Sequence, residues 1–256
     1  MRIISMTLTV LLLSGMAMTT PSQGQQRNIF ADPQNLQVLP ADISPGELSS
    51  IMRGFTSSLG RRCAQCHMGE EDMSIFDYDF ASDERPLKLV AREMLKMVMN
   101  INQTISGIDR GPDYEAITVT CITCHRGTNK PVMIESIMDD EIATGGGDAA
   151  AAKYRELREA FFGGFAYDFS AVAMARYADN LSAAGNGEAA IKLHLMNVEF
   201  NPSVPRVYFS MGNTYEREGM LALAIATYRK LLEVDPSLAL RLEPGIAELE
   251  EQLAAQ

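Results

Sequence analysis

The residues with the clearest chemistry in this chain are its cysteines, all of which lie in two C-x-x-C-H pentapeptides. Residues 63–67 read CAQCH and residues 121–125 read CITCH. This spacing is the attachment signature of c-type haem, because two thiols a short turn apart can each add to one haem vinyl group. The histidine directly after the second thiol then comes under the iron as its proximal ligand. The sequence therefore predicts two covalently bound haem c groups and no free thiol.

The two motifs supply the same residue types to each haem. The expected thioether anchors are Cys63, Cys66, Cys121 and Cys124, and the expected proximal iron ligands are His67 and His125. A zinc site built from four thiolates has no role for a histidine after each cysteine pair. A thioredoxin-like redox pair needs a βαβ pattern that is absent here. A disulfide within either pair would close almost no loop.

The N-terminus indicates the compartment. Residues 1–24 read as a signal peptide, in which Met1 and Arg2 form a cationic start and a largely apolar run follows up to Met18. Ala17 and Gly24 are both candidate cleavage sites. Because haem is attached covalently after export, we expect a protein of the periplasm or of the outer surface.

The charge of the chain limits its partners. The formal net charge is −11 at pH 7, which argues against nucleic acid and anionic lipid as ligands because both are polyanions. Haem propionates would add further negative charge. We therefore expect a periplasmic or membrane-bound redox protein with a basic docking patch as the partner.

A predicted helix precedes each haem motif. Residues 44–47 form a capping box with proline at the first helical position, and Gly60 is the expected stop. Between them, apolar residues recur at helical spacing: Leu48, Ile51, Met52, Phe55 and Leu59. The second helix begins near residues 82–86, and one face carries Leu87, Val90, Met94, Met97 or Val98, and Ile101. Met99 points roughly 140° away from Met94.

These methionines are candidate distal ligands of the two irons. A methionine on an apolar helix face is by default core filler, but two haems need two distal ligands or open sites. The one histidine outside the motifs, His194, lies far along the chain. Thioether sulfur is the common alternative and raises the haem potential relative to a second histidine. We predict Met52 as distal ligand of the first haem, and Met94 or Met97 of the second.

Residues 43–131 resemble the haem-binding repeat pair of the photosynthetic reaction centre cytochrome c subunit family. The shared features are the methionine helix before each motif, the run AREMLKM at 91–97 leading to Ile101 and Asn102, and CITCHRG at 121–127. In that family the methionine of each preceding helix is the sixth iron ligand, which implies Met52 and Met94 here. Well-known members carry four haems in two pairs and supply a further histidine after the second methionine helix. This chain has one pair and reads SGID at 106–109. Nothing in the sequence connects it to photosynthesis.

The C-terminal region repeats with the 34-residue period of the tetratricopeptide (TPR) repeat. One good repeat fills its consensus positions with Tyr208, Met211, Gly212, Tyr215, Ala224, Tyr228 and Pro236. A degenerate repeat before it uses Met174, Tyr177, Ala178, Leu181, Ala190, His194 and Pro202. Because His194 takes the position of a packed aromatic residue, we predict that it is buried and structural rather than an iron ligand.

These patterns predict an all-α protein, a multihaem c-type cytochrome domain at 25–143 followed by a TPR-like helical repeat domain at 148–256. The glycine run at 144–148 reads as a flexible break between them. We expect a periplasmic electron carrier without substrate chemistry, whose repeats dock a peptide or protein, cap the haem domain or form a dimer interface. A dihaem peroxidase with one five-coordinate haem and a haem-containing sensor or scaffold are the alternatives.

Overall fold

The structure, a computed structural model, describes residues 27–109, 111, 115 and 117–256, and the regular secondary structure of this part consists of helices joined by loops. The α-helices are α1 (Pro45–Leu59), α2 (Pro86–Ser106), α3 (Cys121–His125), α4 (Ile134–Phe161), α5 (Ala171–Ala183), α6 (Gly187–Phe200), α7 (Pro205–Arg217), α8 (Leu221–Val234) and α9 (Ala239–Ala254). Short 3₁₀ turns lie at Cys63–Gln65, Ile75–Asp77 and Pro236–Leu238. The predicted all-α fold class is confirmed. The predicted signal peptide, 1–24, lies outside the described residues.

Helix α1 begins and ends where the sequence predicts. The Ser44 hydroxyl accepts a hydrogen bond from the Glu47 backbone N–H at 3.2 Å, and a Glu47 carboxylate oxygen accepts one from the Ser44 N–H at 3.1 Å. Gly60 ends the helix in the left-handed conformation, with φ 62°. The capping box therefore satisfies two backbone donors that the helix itself leaves unpaired.

The four helices α5 to α8 form two pairs that repeat with the predicted period. Helix α7 begins 34 residues after α5, at Pro205 against Ala171, and α8 begins 34 residues after α6, at Leu221 against Gly187. Helix α7 packs against α5, α6 and α8, and α9 covers α8. This arrangement is compatible with stacked helix pairs in which each pair covers the apolar face of its neighbour.

The core of the C-terminal region contains the residues that the repeat pattern assigns to packing positions. Ala178, Ala190 and Ala224 are fully buried, and His194 is also buried completely, as predicted. Gly212 lies so close to the ring of Tyr228 that a Cβ would come within 2.4 Å of it. Only glycine therefore lets α7 approach α8 at this point.

The glycine run predicted as a flexible break is instead a kink inside α4. Gly146 has φ 72° and ψ −168°, and helical residues continue on both sides of it. At Gly147 the helix approaches α6 so closely that a Cβ would lie 2.7 Å from the Cα of Ala189. Ile134 and Met138, before the kink, are buried in the same core as Tyr154 after it. The segment before the kink thus packs with the C-terminal helices, and the position of the domain boundary stays a prediction.

Candidate functional site

The first C-x-x-C-H motif is wound into a single tight turn. The Cys63 carbonyl accepts hydrogen bonds from the backbone N–H of Cys66 at 3.1 Å and of His67 at 2.9 Å. These two bonds hold the three residues of the motif within one turn of backbone. Burial raises the pKa of the Cys66 thiol, and Cys63 acts in the same direction while Arg61 opposes it.

The second motif is the short helix α3, and its histidine is held by a hydrogen bond. The Thr128 carbonyl lies 3.0 Å from Nδ1 of His125. Because a carbonyl oxygen can only accept, Nδ1 must carry the proton, and Nε2 is left with its lone pair. The Thr128 hydroxyl fixes this loop by donating to the His125 carbonyl at 2.7 Å. His125 is therefore in the tautomer that ligates iron through Nε2.

The histidine of the first motif has different surroundings. The His67 ring meets the ring of Phe80 edge-on, with centroids 5.0 Å apart, and its Nδ1 is buried without a hydrogen-bond partner among the described residues. Burial lowers the pKa of His67, and Lys88 and, to a smaller extent, Arg92 lower it further, while the Phe80 carbonyl raises it. The imidazole is consequently kept neutral, which is the form that binds a metal ion.

A cluster of two cations, Lys88 and Arg92, and one carboxylate, Asp83, lies beside His67. The Asp83 carboxylate forms ion pairs with Nζ of Lys88 at 3.0 Å and with Nη1 of Arg92 at 2.9 Å. These two cations, together with Asn35, hold the pKa of Asp83 well below its usual range. The Lys88 ammonium also donates to the carbonyls of Phe80, Ala81 and Ser82. The cluster therefore fixes the loop that carries Phe80 against α2.

This cluster was not predicted from the sequence. Its signal was available: Lys88 and Arg92 are four residues apart on one helix, a spacing that places two side chains on the same face. Asn35, in the loop before α1, completes the cluster by donating to Asp83 at 2.9 Å and to the Ala81 carbonyl. No local pattern predicts this contact, because Asn35 and Asp83 are far apart in the chain.

The methionines predicted as distal ligands differ in burial: Met52 on α1 is half-buried, whereas Met94 and Met97 on α2 are exposed. Met52 lies on the half-buried face of α1 rather than on a fully buried stripe, and Leu48 is buried on the same helix. No residue of α2 is buried by the part of the chain described here. Met94 and Met97 are 40% and 44% exposed, while Met99 is 54% exposed. On the apolar α2 face, Leu87 and Val90 are also exposed, whereas Val98 and Ile101 are half-buried, as are Ala91 and Leu95 beside them.

Two contacts connect the methionine helices to the second motif. Helix α1 packs against α3, where the Gly127 N–H donates to the Ser58 carbonyl at 2.9 Å. On α2, the Asn102 side chain donates to the Val119 carbonyl and accepts from the Val119 N–H, both at 2.8 Å. The segment that precedes the second motif is therefore held against α2 by a side-chain amide, which pairs with the Val119 backbone as a neighbouring β-strand would.

The residues around the motifs fit a haem. Among the described residues between 27 and 131, the only buried apolar side chains are Leu48 and Ala64. Large apolar side chains are instead exposed there: Met73, Ile75, Phe76, Leu87, Leu89, Val90, Met94, Met97 and Met99. A large, flat apolar group such as a porphyrin would cover these side chains. Near the first motif, Nε of Arg61 and Nε of Arg85 are buried and have no partner within the described part of the chain, and these donors suit the propionates of a haem.

Other site types find less support in the structure. None of the four cysteines is joined to another in a disulfide. In the described part of the chain, no group of three or more His, Cys, Asp or Glu side chains could hold a metal ion, which is the kind of cluster a zinc site needs. Nor does any helix within that part have the length and apolarity to cross a membrane.

Comparison with known proteins places these motifs in a family context. Residues 15–168 match the family model described as "Photosynthetic reaction centre cytochrome C subunit". The chain is 32% identical over 101 residues to the photosynthetic reaction center cytochrome c subunit of Roseobacter denitrificans, covering 38% of this chain and 25% of that protein. It is 34% identical over 102 residues to cytochrome c-554 of Chloroflexus aurantiacus, covering 40% and 22%. The chain thus spans about a quarter of the length of the curated relatives it matches.

Proposed function

The chain belongs to the photosynthetic reaction centre cytochrome c subunit family, and from that premise we propose that it is a periplasmic dihaem c-type cytochrome that passes single electrons between redox proteins. The observation that carries this proposal is the pair of C-x-x-C-H turns on a surface where large apolar side chains stay 37–54% exposed. When bound, haem iron supplies one-electron chemistry by cycling between two oxidation states. The family is one of electron-carrying cytochromes, so we propose no enzymatic reaction.

Each group of residues has a defined task in this proposal. Cys63 and Cys66 anchor one haem through thioether bonds, and Cys121 and Cys124 anchor the other. His67 and His125 are the proximal ligands, and the hydrogen bond from Nδ1 of His125 to the Thr128 carbonyl leaves Nε2 of that ring facing the iron site. Met52 and Met94 are the distal ligands that the family pattern implies, and the exposed position of Met94 leaves its thioether accessible to a haem on that face.

The helices after residue 148 have a separate task. We propose that they form a TPR-like module that docks a peptide or a redox partner. Because this chain is acidic, we expect the redox partner to present a basic patch to it. The exact 34-residue recurrence of helix boundaries from α5 to α8 supports the repeat. Such repeats bind partners on the surfaces that stacked helix pairs create.

A visible spectrum of the exported, full-length protein in both oxidation states tests the electron-carrier function. Two low-spin, six-coordinate haems are expected, because every iron then has a histidine and a methionine ligand. A high-spin component in the oxidised or reduced protein would contradict electron transfer as the function and would favour a peroxidase or a ligand sensor.

A further inference from the structure

The two proximal histidines differ in the hydrogen bond at Nδ1. His125 gives its Nδ1 proton to the Thr128 carbonyl at 3.0 Å, and such a bond makes the imidazole a more basic, more electron-donating ligand. His67 has no partner at Nδ1 within the described residues. The nearby Phe80 carbonyl acts on this ring, but it also accepts a hydrogen bond from the Lys88 ammonium at 2.9 Å, which makes it a poorer acceptor for His67 than the Thr128 carbonyl is for His125. His67 is therefore the weaker electron donor of the two.

The charges around the two motifs differ in the same sense. Lys88 and Arg92 have side chains only 11% and 13% exposed, and one carboxylate, Asp83, lies between them. One positive charge is therefore left uncompensated within the cluster. Because water reaches these groups poorly, their electrostatic effect is screened less than that of surface charges. A positive charge beside an iron site favours the reduced form.

Other charges near the motifs are more strongly screened by water. Glu70 and Glu71 follow the first motif, are 73% and 57% exposed, and pair with Arg85 and Arg62. Arg126 and Lys130 follow the second motif and are solvent-exposed. Exposed charges of this kind contribute little. The buried cluster at the first motif is left as the larger electrostatic difference.

We infer that the haem held by Cys63 and Cys66 has the higher midpoint potential of the pair, so that an electron moves within the chain from the second motif to the first. The inference rests on the proposed dihaem function. In this step the iron at His125 is oxidised as the iron at His67 is reduced, and no atom or proton is transferred. Lys88, Arg92 and Asp83 are positioning residues for this direction, since none of them ligates iron.

Charge substitutions of opposite sign in the cluster test this inference. The holoprotein is titrated with dithionite and ferricyanide while the haem absorption band is followed, which resolves two one-electron components. Lys88→Gln should lower the midpoint potential of the higher-potential component, and Asp83→Asn should raise it. The expected size is about tenfold in the one-electron equilibrium constant, or about 59 mV. The lower component should stay in place in both variants.

Two further variants separate charge from structural damage. Lys88→Arg keeps the positive charge and should leave both components near their wild-type values. Arg92→Gln removes the second cation and should lower the higher component, even if Lys88→Gln does not fold. Disruption of the loop would shift the potential in the same direction in the lysine and aspartate variants, whereas a charge effect reverses its sign.

The outcomes separate this inference from the function on which it rests. If the variants move the lower component, or if neither component moves, the direction of electron flow is wrong while the dihaem carrier stands. If the wild-type protein shows one haem or none, the proposed function fails and the inference fails with it.

Discussion

At the scale of single residues, the iron ligands are decided by what each side chain can reach and what already occupies it. His194 is fully buried and lies 3.0 Å from the Thr214 hydroxyl through Nε2. Asp179 is 3.6 Å from the same nitrogen. His194 is thus held within the packing of the repeat helices, which agrees with the proposal that methionines are the distal ligands.

Removing a distal methionine should change one haem at a time. Met52→Ala and Met94→Ala should each convert one haem to high spin or to a replacement ligand and lower its potential by tenfold or more in the one-electron constant, about 59 mV. Met99→Ala, on another side of α2, is the matched control and should leave both spectra unchanged. If Met97→Ala rather than Met94→Ala perturbs the second haem, the ligand lies about one helical turn further along α2.

The buried His194 should make the stability of the repeat helices depend on pH. Burial, with a smaller contribution from Arg206, lowers the pKa of His194 from 6.5 to about 4. Between these values the unfolded chain binds a proton that the folded chain does not, so the free energy of unfolding should fall as the pH falls from 6.5 to 4. The loss should be on the order of 3 kcal/mol.

Urea unfolding followed by far-ultraviolet circular dichroism at pH 7, 5.5 and 4.5 measures this dependence. His194→Phe places an aromatic ring where the repeat pattern expects one and should remove this component of the pH dependence without altering the haem spectra. An unchanged pH dependence in His194→Phe would contradict the assignment to His194. A changed haem spectrum would mean that the repeat helices reach the redox site.

At the scale of helices, features with a local cause can be predicted from the sequence, whereas contacts between distant segments cannot. The capping box of α1, the stop at Gly60 and the 34-residue period all have a cause within a few residues, and all appear in the structure. The covered face of α2 was not predictable, because apolar spacing does not tell a face that packs on protein from one that is left for a porphyrin. Likewise, a glycine run signals backbone freedom, but the close approach of Gly147 to Ala189 depends on a helix 40 residues away.

A glycine at a helix contact should be essential for packing, unlike one at an open position. Gly212→Ala would place a Cβ 2.4 Å from the Tyr228 ring, and overpacking of this kind lowers the free energy of unfolding by about 1–3 kcal/mol. Gly245→Ala is the matched control, because no atom lies within 4 Å of its Cβ position in α9. It should stabilise the helix by about 0.5–1 kcal/mol. Equal thermal midpoints for the two variants would contradict the close contact of α7 with α8.

At the scale of the whole molecule, we propose two parts with different cores. The haem motifs lie on segments with little protein core of their own, whereas α4 to α9 pack around two clusters of buried side chains. Because Ile134 and Met138 belong to the first of these clusters, a division just before α4 leaves both cores intact.

Cutting the chain at this point tests the division. A chain that ends at Met133 should keep both haems with unchanged spectra and potentials, because none of the proposed ligands comes from α4 to α9. It should lose only the binding of a partner. Altered coordination of either haem in the shortened chain would mean that the C-terminal helices contribute to the redox site.

The count of covalent haems tests the central claim of a dihaem c-type cytochrome most directly. The exported, full-length protein is measured by intact mass spectrometry, by a haemochrome assay and by thiol titration under denaturing conditions. Since all four cysteines lie in the two motifs, the mass should exceed that of the mature chain by two haems, and no thiol should titrate. A mass increase of one haem, or a titratable cysteine, would contradict the account.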